Sequence, residues 1–361
     1  MTRSFFGHQA FKGRGALSNP PVRFEATRIE QADDGWYQEE VPESLQETVL
    51  PDAARGIVTS NDSPDVGFDV SINPYRGCSH ACVYCFARPT HAYLGLSPGL
   101  DFETKLFYKA DAVKLLEAEL SKPRYVCKPI ALGINTDGYQ PLERRLGVTR
   151  SILEVLARCR HPVSLITKSA LILRDRDLLV DLARDGLVSV MLSITSLSNE
   201  IKRTLEPRTA SPQARLRVIE ALAQAGVPVG VMVAPVIPAI TDHELEAILR
   251  AARGAGASCA SYVLLRLPHE VKILFREWLQ EHYPERAKHV MSLINQARGG
   301  KDYDSQFGTR MRGTGPYAEL LRARFEVAAR KLGFEEASVR HDLRTDLFHG
   351  PSSVSQLTLG F

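Results

Sequence analysis

No apolar run in this 361-residue chain approaches the ~18 residues that a membrane-spanning helix needs, so no membrane partner is expected. Cysteine is scarce, six in all, and three of the six fall within eight positions. That spacing excludes a disulfide framework and points to metal binding or catalysis in a reducing, cytoplasmic setting. No secretory signal is expected at the start. The first 24 residues carry Arg3, Lys12, Arg14 and Arg23 and no acid, but Gly7, Gly13, Gly15, Pro20 and Pro21 break the amphipathic helix of a transit peptide. Charge of one sign is not in excess either. A net charge of +3 leaves room for a nucleic-acid partner without providing an electrostatic footprint for one. Low-complexity tracts and internal repeats are missing.

What is present falls into three parts: an N-terminal arm over residues 1–60, a central unit over 61–270 and a helical extension over 271–361. The arm is expected to be extended and only partly ordered, because nine acids between Glu25 and Asp52 oppose the single Arg28 and no apolar period runs through them. In the central unit, short apolar runs at 69–72, 130–134, 163–167, 188–194, 227–236 and 259–267 alternate with helical stretches at 112–120, 150–160, 176–185, 213–225 and 243–252. Gly186 and Gly226 stand where helices should end, and Asp242 where one should begin. Leu216, Ile219, Leu222 and Ala223 form a helical stripe expected to face the core.

Six strand–helix alternations spell repeated βαβ units and a parallel sheet. They are too few for a closed eight-fold barrel and fit either an open, partial one or a doubly wound sheet. The extension should hold helices at 271–283 and 285–297 and a third beginning at Pro316 and ending at Gly333. Leu357, Leu359 and Phe361 suggest a last strand.

The chemistry concentrates in Tyr75-Arg76-Gly77-Cys78-Ser79-His80-Ala81-Cys82-Val83-Tyr84-Cys85-Phe86, directly after the first expected strand. The C-terminal ends of parallel strands are where ligands bind. Three thiolates on one short loop suit an iron–sulfur cluster and leave one iron of a four-iron cluster open. A closed zinc site would need a fourth ligand, for which His80 is the candidate.

The Cys-x3-Cys-x-aromatic-Cys spacing on such a loop resembles the signature of the radical S-adenosylmethionine superfamily. The resemblance implies an α/β fold, a partial (β/α)6 barrel over about residues 68–270, with a [4Fe–4S] cluster on Cys78, Cys82 and Cys85. It also implies that the open iron chelates S-adenosylmethionine, and that one electron from a flavodoxin- or ferredoxin-like donor cleaves the sulfonium to a 5′-deoxyadenosyl radical. Such chemistry belongs to the cofactor, while the protein orients it and excludes side reactions.

By the same resemblance, later strand ends would hold the cofactor. Asn135, Thr136 and Asp137 match by position the segment that receives its amino group, or else form a plain turn. Lys168 would neutralise the carboxylate and Ser193 would hydrogen-bond to it. Arg208 offers a planar fork for carboxylate or ribose, with Glu206 as its expected ion-pair partner. Val236 and Tyr84 would cover the adenine, or else pack in the core.

The segments 135–141, 167–169 and 206–208 look closest to the spore photoproduct lyase-like branch, whose relatives are called DNA-repair photolyases. In that branch a hydrogen-donating cysteine precedes the segment matching Asn135; here Gly133 or Ile134 stands there, so the repair reaction itself is not carried over. No second cluster motif accompanies Cys127, Cys159 and Cys259, which should be buried as small hydrophobes. His91, Tyr93 and His269 are candidates for substrate contact. Seven arginines and one lysine between Arg310 and Arg344 are interspersed with five acids and read as a mixed-charge surface, with a nucleic-acid groove as the alternative. The sequence thus supports an enzyme acting on a nucleic-acid base, one acting on a small metabolite or protein side chain, or a non-catalytic iron–sulfur carrier.

Overall fold

The computed structural model describes residues 11–24, 45–335 and 343–351. The core of the acidic stretch (25–44) and the suggested last strand lie outside them. Among the described residues, ten strands form two sheets: β1 (Thr48–Pro51), β2 (Val58–Ser60), β3 (Val70–Ile72), β4 (Tyr75–Arg76), β5 (Lys105–Tyr108), β6 (Ile130–Leu132), β7 (Val163–Thr167), β8 (Val188–Ser193), β9 (Val229–Val236) and β10 (Cys259–Leu264).

The larger sheet runs β10-β9-β8-β7-β6-β3-β2. Its six strands from β3 to β10 are all parallel, and β2 adds antiparallel on the β3 edge. These six are the strands expected from the apolar runs. Their spatial order follows the chain without reversal. A doubly wound sheet reverses its order at a switch point, so the singly wound, partial-barrel alternative holds.

Helices follow the strands at Ala112–Leu120, Val148–Arg158, Arg176–Arg184, Pro212–Gln224 and Leu245–Gly254. Their apolar faces bury Leu116, Ile152, Leu156, Leu179, Ile219 and Ile248 against β-branched strand residues such as Val163, Val190 and Val231. Burying one such side chain is worth ~1.5–3 kcal/mol, and the sheet gains it on every second position facing the helices.

The helix Pro212–Gln224 turns slightly from the expected stripe. Ile219 and Leu222 are buried, whereas Leu216 and Ala223 are only half-buried, and Arg215 takes an inward position. The cause is electrostatic, because Arg215 reaches inward to the buried Glu206.

The three-stranded sheet β1-β5-β4 was not foreseen. Its strands are short, and β4 is two residues long. It matters because β4 leads straight into the cysteine loop. In the extension, helices Val271–His282, Pro284–Gln296 and Gly315–Lys331 appear where expected. Val271, Leu274, Phe275, Trp278 and Ile294 of the first two share a second core with Val83, Tyr84 and Ala16. The C-terminal helices are therefore part of the packing around the cysteine loop.

Candidate metal centre

Gly77 opens the loop at φ +74, where a Cβ would lie 2.9 Å from both Leu106 Cδ2 and the Phe102 carbonyl oxygen. Only glycine meets that conformation and that approach. The chain is then fastened on several sides. Cys78 N donates to the Phe102 carbonyl at 2.9 Å, Val83 N to Leu205 at 3.1 Å and Arg208 N to His80 at 3.3 Å. Gln140 bridges the loop, accepting from Ser79 N at 2.9 Å and donating to the Gly77 carbonyl at 3.2 Å.

All three thiols are free; Cys78 and Cys82 are buried and Cys85 is half-buried. Burial pushes the Cys82 thiol up to about 12, helped by Glu206 and opposed by Lys168. Burial likewise raises Cys78 and Cys85, with Arg88 and Lys168 pulling Cys85 back. Burial thus disfavours the thiolate form, and metal loading must displace the thiol protons.

His80 is engaged elsewhere through one ring nitrogen. Its Nδ1 lies 3.3 Å from Asp137 Oδ2, deep in the interior. Among the described residues, no three His, Cys, Asp or Glu side chains stand ready around a single ion. The His80–Asp137 contact speaks against His80 as the fourth ligand of a closed zinc site. Three free thiols on one pinned loop suit an iron–sulfur cluster by their chemistry.

The strand-end residues surround this loop in distinct roles. Asp137 accepts from Tyr139 N at 2.9 Å, the Thr167 hydroxyl at 2.7 Å and Lys168 N at 2.8 Å, besides facing His80. Burial would raise its carboxyl; the His80 contact and these donors outweigh that and hold it at about 2. It is a hub joining the cysteine loop to β6 and β7. Thr136 donates to the Tyr75 carbonyl at 2.8 Å, and Ser193 to the Ala234 carbonyl at 3.0 Å. Asn135 N donates to Asn73 Oδ1 at 2.8 Å. Val236, at the end of β9, is buried in the core.

Lys168 is half-buried, with Nζ 5.8 Å from the centroid of the Tyr84 ring, and its charge acts on Cys82, Cys85 and Glu206. Tyr84 is buried and donates its hydroxyl to Glu206. Burial opposes ionisation of Glu206, but Arg215, Lys168 and Tyr84 together hold its carboxyl at about 2.

The expected Glu206–Arg208 pair does not form. Glu206 pairs with Arg215, both nearly fully buried, while Arg208 pairs with Glu47 from the segment before β1. The reason is direction: Arg215 rises from the helix below Glu206, whereas Arg208 lies farther out at the rim. His91 is also no surface residue. It is buried, with Nε2 2.9 Å from the Lys105 carbonyl oxygen, and burial lowers it to about 4. Tyr93 is exposed and stacks on Phe24 at 5.1 Å, and His269 is exposed. Of the remaining cysteines only Cys159 is buried; Cys127 and Cys259 are half-buried.

Two groups were missed from sequence. Arg88 and Glu103, both fully buried, form an ion pair beneath the loop. Removing either partner would strand a buried charge at a cost of ~3–5 kcal/mol. At the rim, Arg266 places its guanidinium 5.3 Å from the Phe86 ring and 6.0 Å from Tyr303, and donates to Tyr303 Oη at 3.2 Å. Arg88, three residues after the last cysteine, carried a usable signal. Arg266 and Tyr303 carried none, since a turn of the distant extension brings them together.

Residues 72–252, half the chain, match the radical SAM superfamily. The uncharacterized protein Rv2578c of Mycobacterium tuberculosis is 41% identical over 228 residues, covering 63% of this chain and 67% of that one. Uncharacterized protein MJ0683 of Methanocaldococcus jannaschii is 27% identical over 215 residues, 59% of this chain and 76% of its own. Among solved structures, spore photoproduct lyase complexed with dinucleoside spore photoproduct superimposes with a TM-score of 0.56 at 15% identity, over 80% of both chains. That likeness concerns the fold. Together with the cysteine loop at the open end of six singly wound parallel strands, the family match establishes that this chain belongs to the radical SAM superfamily.

Proposed function

We propose that this chain is a radical S-adenosylmethionine enzyme of the lyase-like branch, acting on a nucleic-acid base in a reducing cytoplasm. The observation that carries the reading is the set of three free thiols on one pinned loop at the strand ends, faced by the Lys168 ammonium. Cys78, Cys82 and Cys85 would hold a [4Fe–4S] cluster. The bound cluster and S-adenosylmethionine would supply a 5′-deoxyadenosyl radical, with an electron from a flavodoxin- or ferredoxin-like donor.

The protein's own residues do the rest. Lys168 attracts the cofactor carboxylate, with Arg208 available at the rim. Tyr84 stays locked to Glu206, so that its ring is a fixed wall. Asp137 keeps the β6 and β7 ends in register with the loop.

Two features support a base as substrate. Phe86, directly after Cys85, is 43% exposed, and Arg266 and Tyr303 stand beside it. An exposed ring next to a guanidinium suits a stacked base and its phosphate. The fold is also that of a lyase solved with a dinucleoside. Spore photoproduct repair is not proposed. Gly133 stands at φ +75, and a Cβ there would lie 2.8 Å from Gly138 N, which leaves no room for a donor thiol.

The test is anaerobic turnover with deuterated oligonucleotides. Deuterium transferred into 5′-deoxyadenosine supports the reading. No transfer from any DNA or RNA, together with no salt-sensitive retention, transfers the assignment to a small metabolite or protein side chain.

A further inference from the structure

Beneath the cysteine loop lies a charge pair that nothing in the cofactor chemistry requires. Arg88 uses four of its N–H donors internally. Nε donates to the Cys82 carbonyl at 2.9 Å, Nη1 to the Pro98 and Gly99 carbonyls at 3.0 and 2.9 Å, and Nη2 to Glu103. Glu103 also accepts from Ala16 N at 2.8 Å, on the oxygen that Arg88 reaches, and from Gly15 N at 3.2 Å on the other.

The segment around residues 15–18 is thus bound into the floor of the loop. Its approach is close: a Cβ on Gly15 would lie 2.0 Å from the Ala81 carbonyl oxygen. Ser18 and Leu100 close the edge, Leu100 N donating to the Ser18 carbonyl at 3.2 Å. The pair and the loop are buried together, and charges act strongly in such surroundings.

We propose that the Arg88–Glu103 pair, capped by the backbone of Gly15 and Ala16, sets the reduction potential of the cluster held by Cys78, Cys82 and Cys85. Arg88 is the nearer charge, bonded directly to the Cys82 carbonyl, and Glu103 stands one step behind and offsets it. Cluster potentials follow local net charge and hydrogen bonding. A bare Arg88 favours the reduced, more negative cluster; a bare Glu103 disfavours it. Both are positioning residues, acting through the loop backbone. The proposal rests on the reading that the three cysteines hold a four-iron cluster.

The experiment is a potentiometric titration of the reconstituted full chain, followed by electron paramagnetic resonance. Glu103→Gln is expected to raise the midpoint and Arg88→Gln to lower it. Arg88→Lys and Glu103→Asp keep the charges and should stay close to the native value. Shifts of one sign in both glutamine variants overturn the proposal, as do shifts in the conservative variants as large as those in the glutamine variants. If a glutamine variant does not load iron, the double variant Arg88→Gln/Glu103→Gln, neutral at both positions, is titrated instead. It is expected to load and to sit near the native midpoint; failure to load, or a displaced midpoint, overturns the proposal. Native protein that takes up no four-iron cluster would instead sink the cluster reading itself.

Discussion

His80 Nδ1 lies 3.3 Å from Asp137 Oδ2, tying the residue between two loop cysteines to the end of β6. Asp137 also receives the Thr167 hydroxyl and Lys168 N from β7. Asp137→Ala leaves those buried donors unpaired, and destabilisation of ~3 kcal/mol is expected. Chemical denaturation of the purified chain measures it, with iron content after reconstitution as second readout. A loss below ~1 kcal/mol with full iron content would contradict the hub role.

Lys168 is a half-buried cation whose charge acts on Cys82, Cys85 and Glu206. Lys168→Met is expected to retain iron and sulfide but to weaken S-adenosylmethionine binding about tenfold, equivalent to ~1.4 kcal/mol. Equilibrium binding to the reconstituted protein checks this. Unchanged affinity would favour a carrier that holds a cluster without using the cofactor.

The architecture was legible in sequence where a single local rule governed each element. Apolar runs such as 163–167 and 188–194 became β7 and β8, and Pro316 stands at the start of the last helix as expected. The loop cysteines were legible for the same reason. Interactions between distant segments were not. Glu47 reaching Arg208 spans 161 residues, and nothing in the sequence marks Glu103 as the partner of Arg88. The short strands β4 and β5 lack a period long enough to read, since β4 has two residues and is defined only by its partner.

Gly77→Ala should disable loading without unfolding the sheet. The added Cβ meets Leu106 and the Phe102 carbonyl oxygen at a φ of +74, which displaces Cys78 from its hydrogen bond to Phe102. Far-ultraviolet circular dichroism is expected to stay native while bound iron falls severalfold. A fully loaded variant would show that the loop tolerates another path.

The Asp65–Arg310 pair ties the turn before β3 to the extension, with Arg310 Nη2 2.6 Å from Asp65 Oδ1. The Arg310 hydrogen bond is the main cause holding the Asp65 carboxyl at about 2, below its ordinary 3.8. A depressed carboxyl stabilises the fold above its unfolded value and loses that contribution as pH falls through the folded one. The stability gap between native protein and Arg310→Ala is therefore full at pH 5 and shrinks from about pH 4 to pH 2. Denaturation curves across that range measure it, and a gap independent of pH would contradict the ion pair.

The central claim is that this chain cleaves S-adenosylmethionine at a cluster on Cys78, Cys82 and Cys85. The most direct measurement is 5′-deoxyadenosine formed by anaerobically reconstituted, reduced protein against a Cys82→Ala control. Product from the native chain alone is the predicted result. A well-formed four-iron cluster that yields none, with or without oligonucleotide, would contradict it.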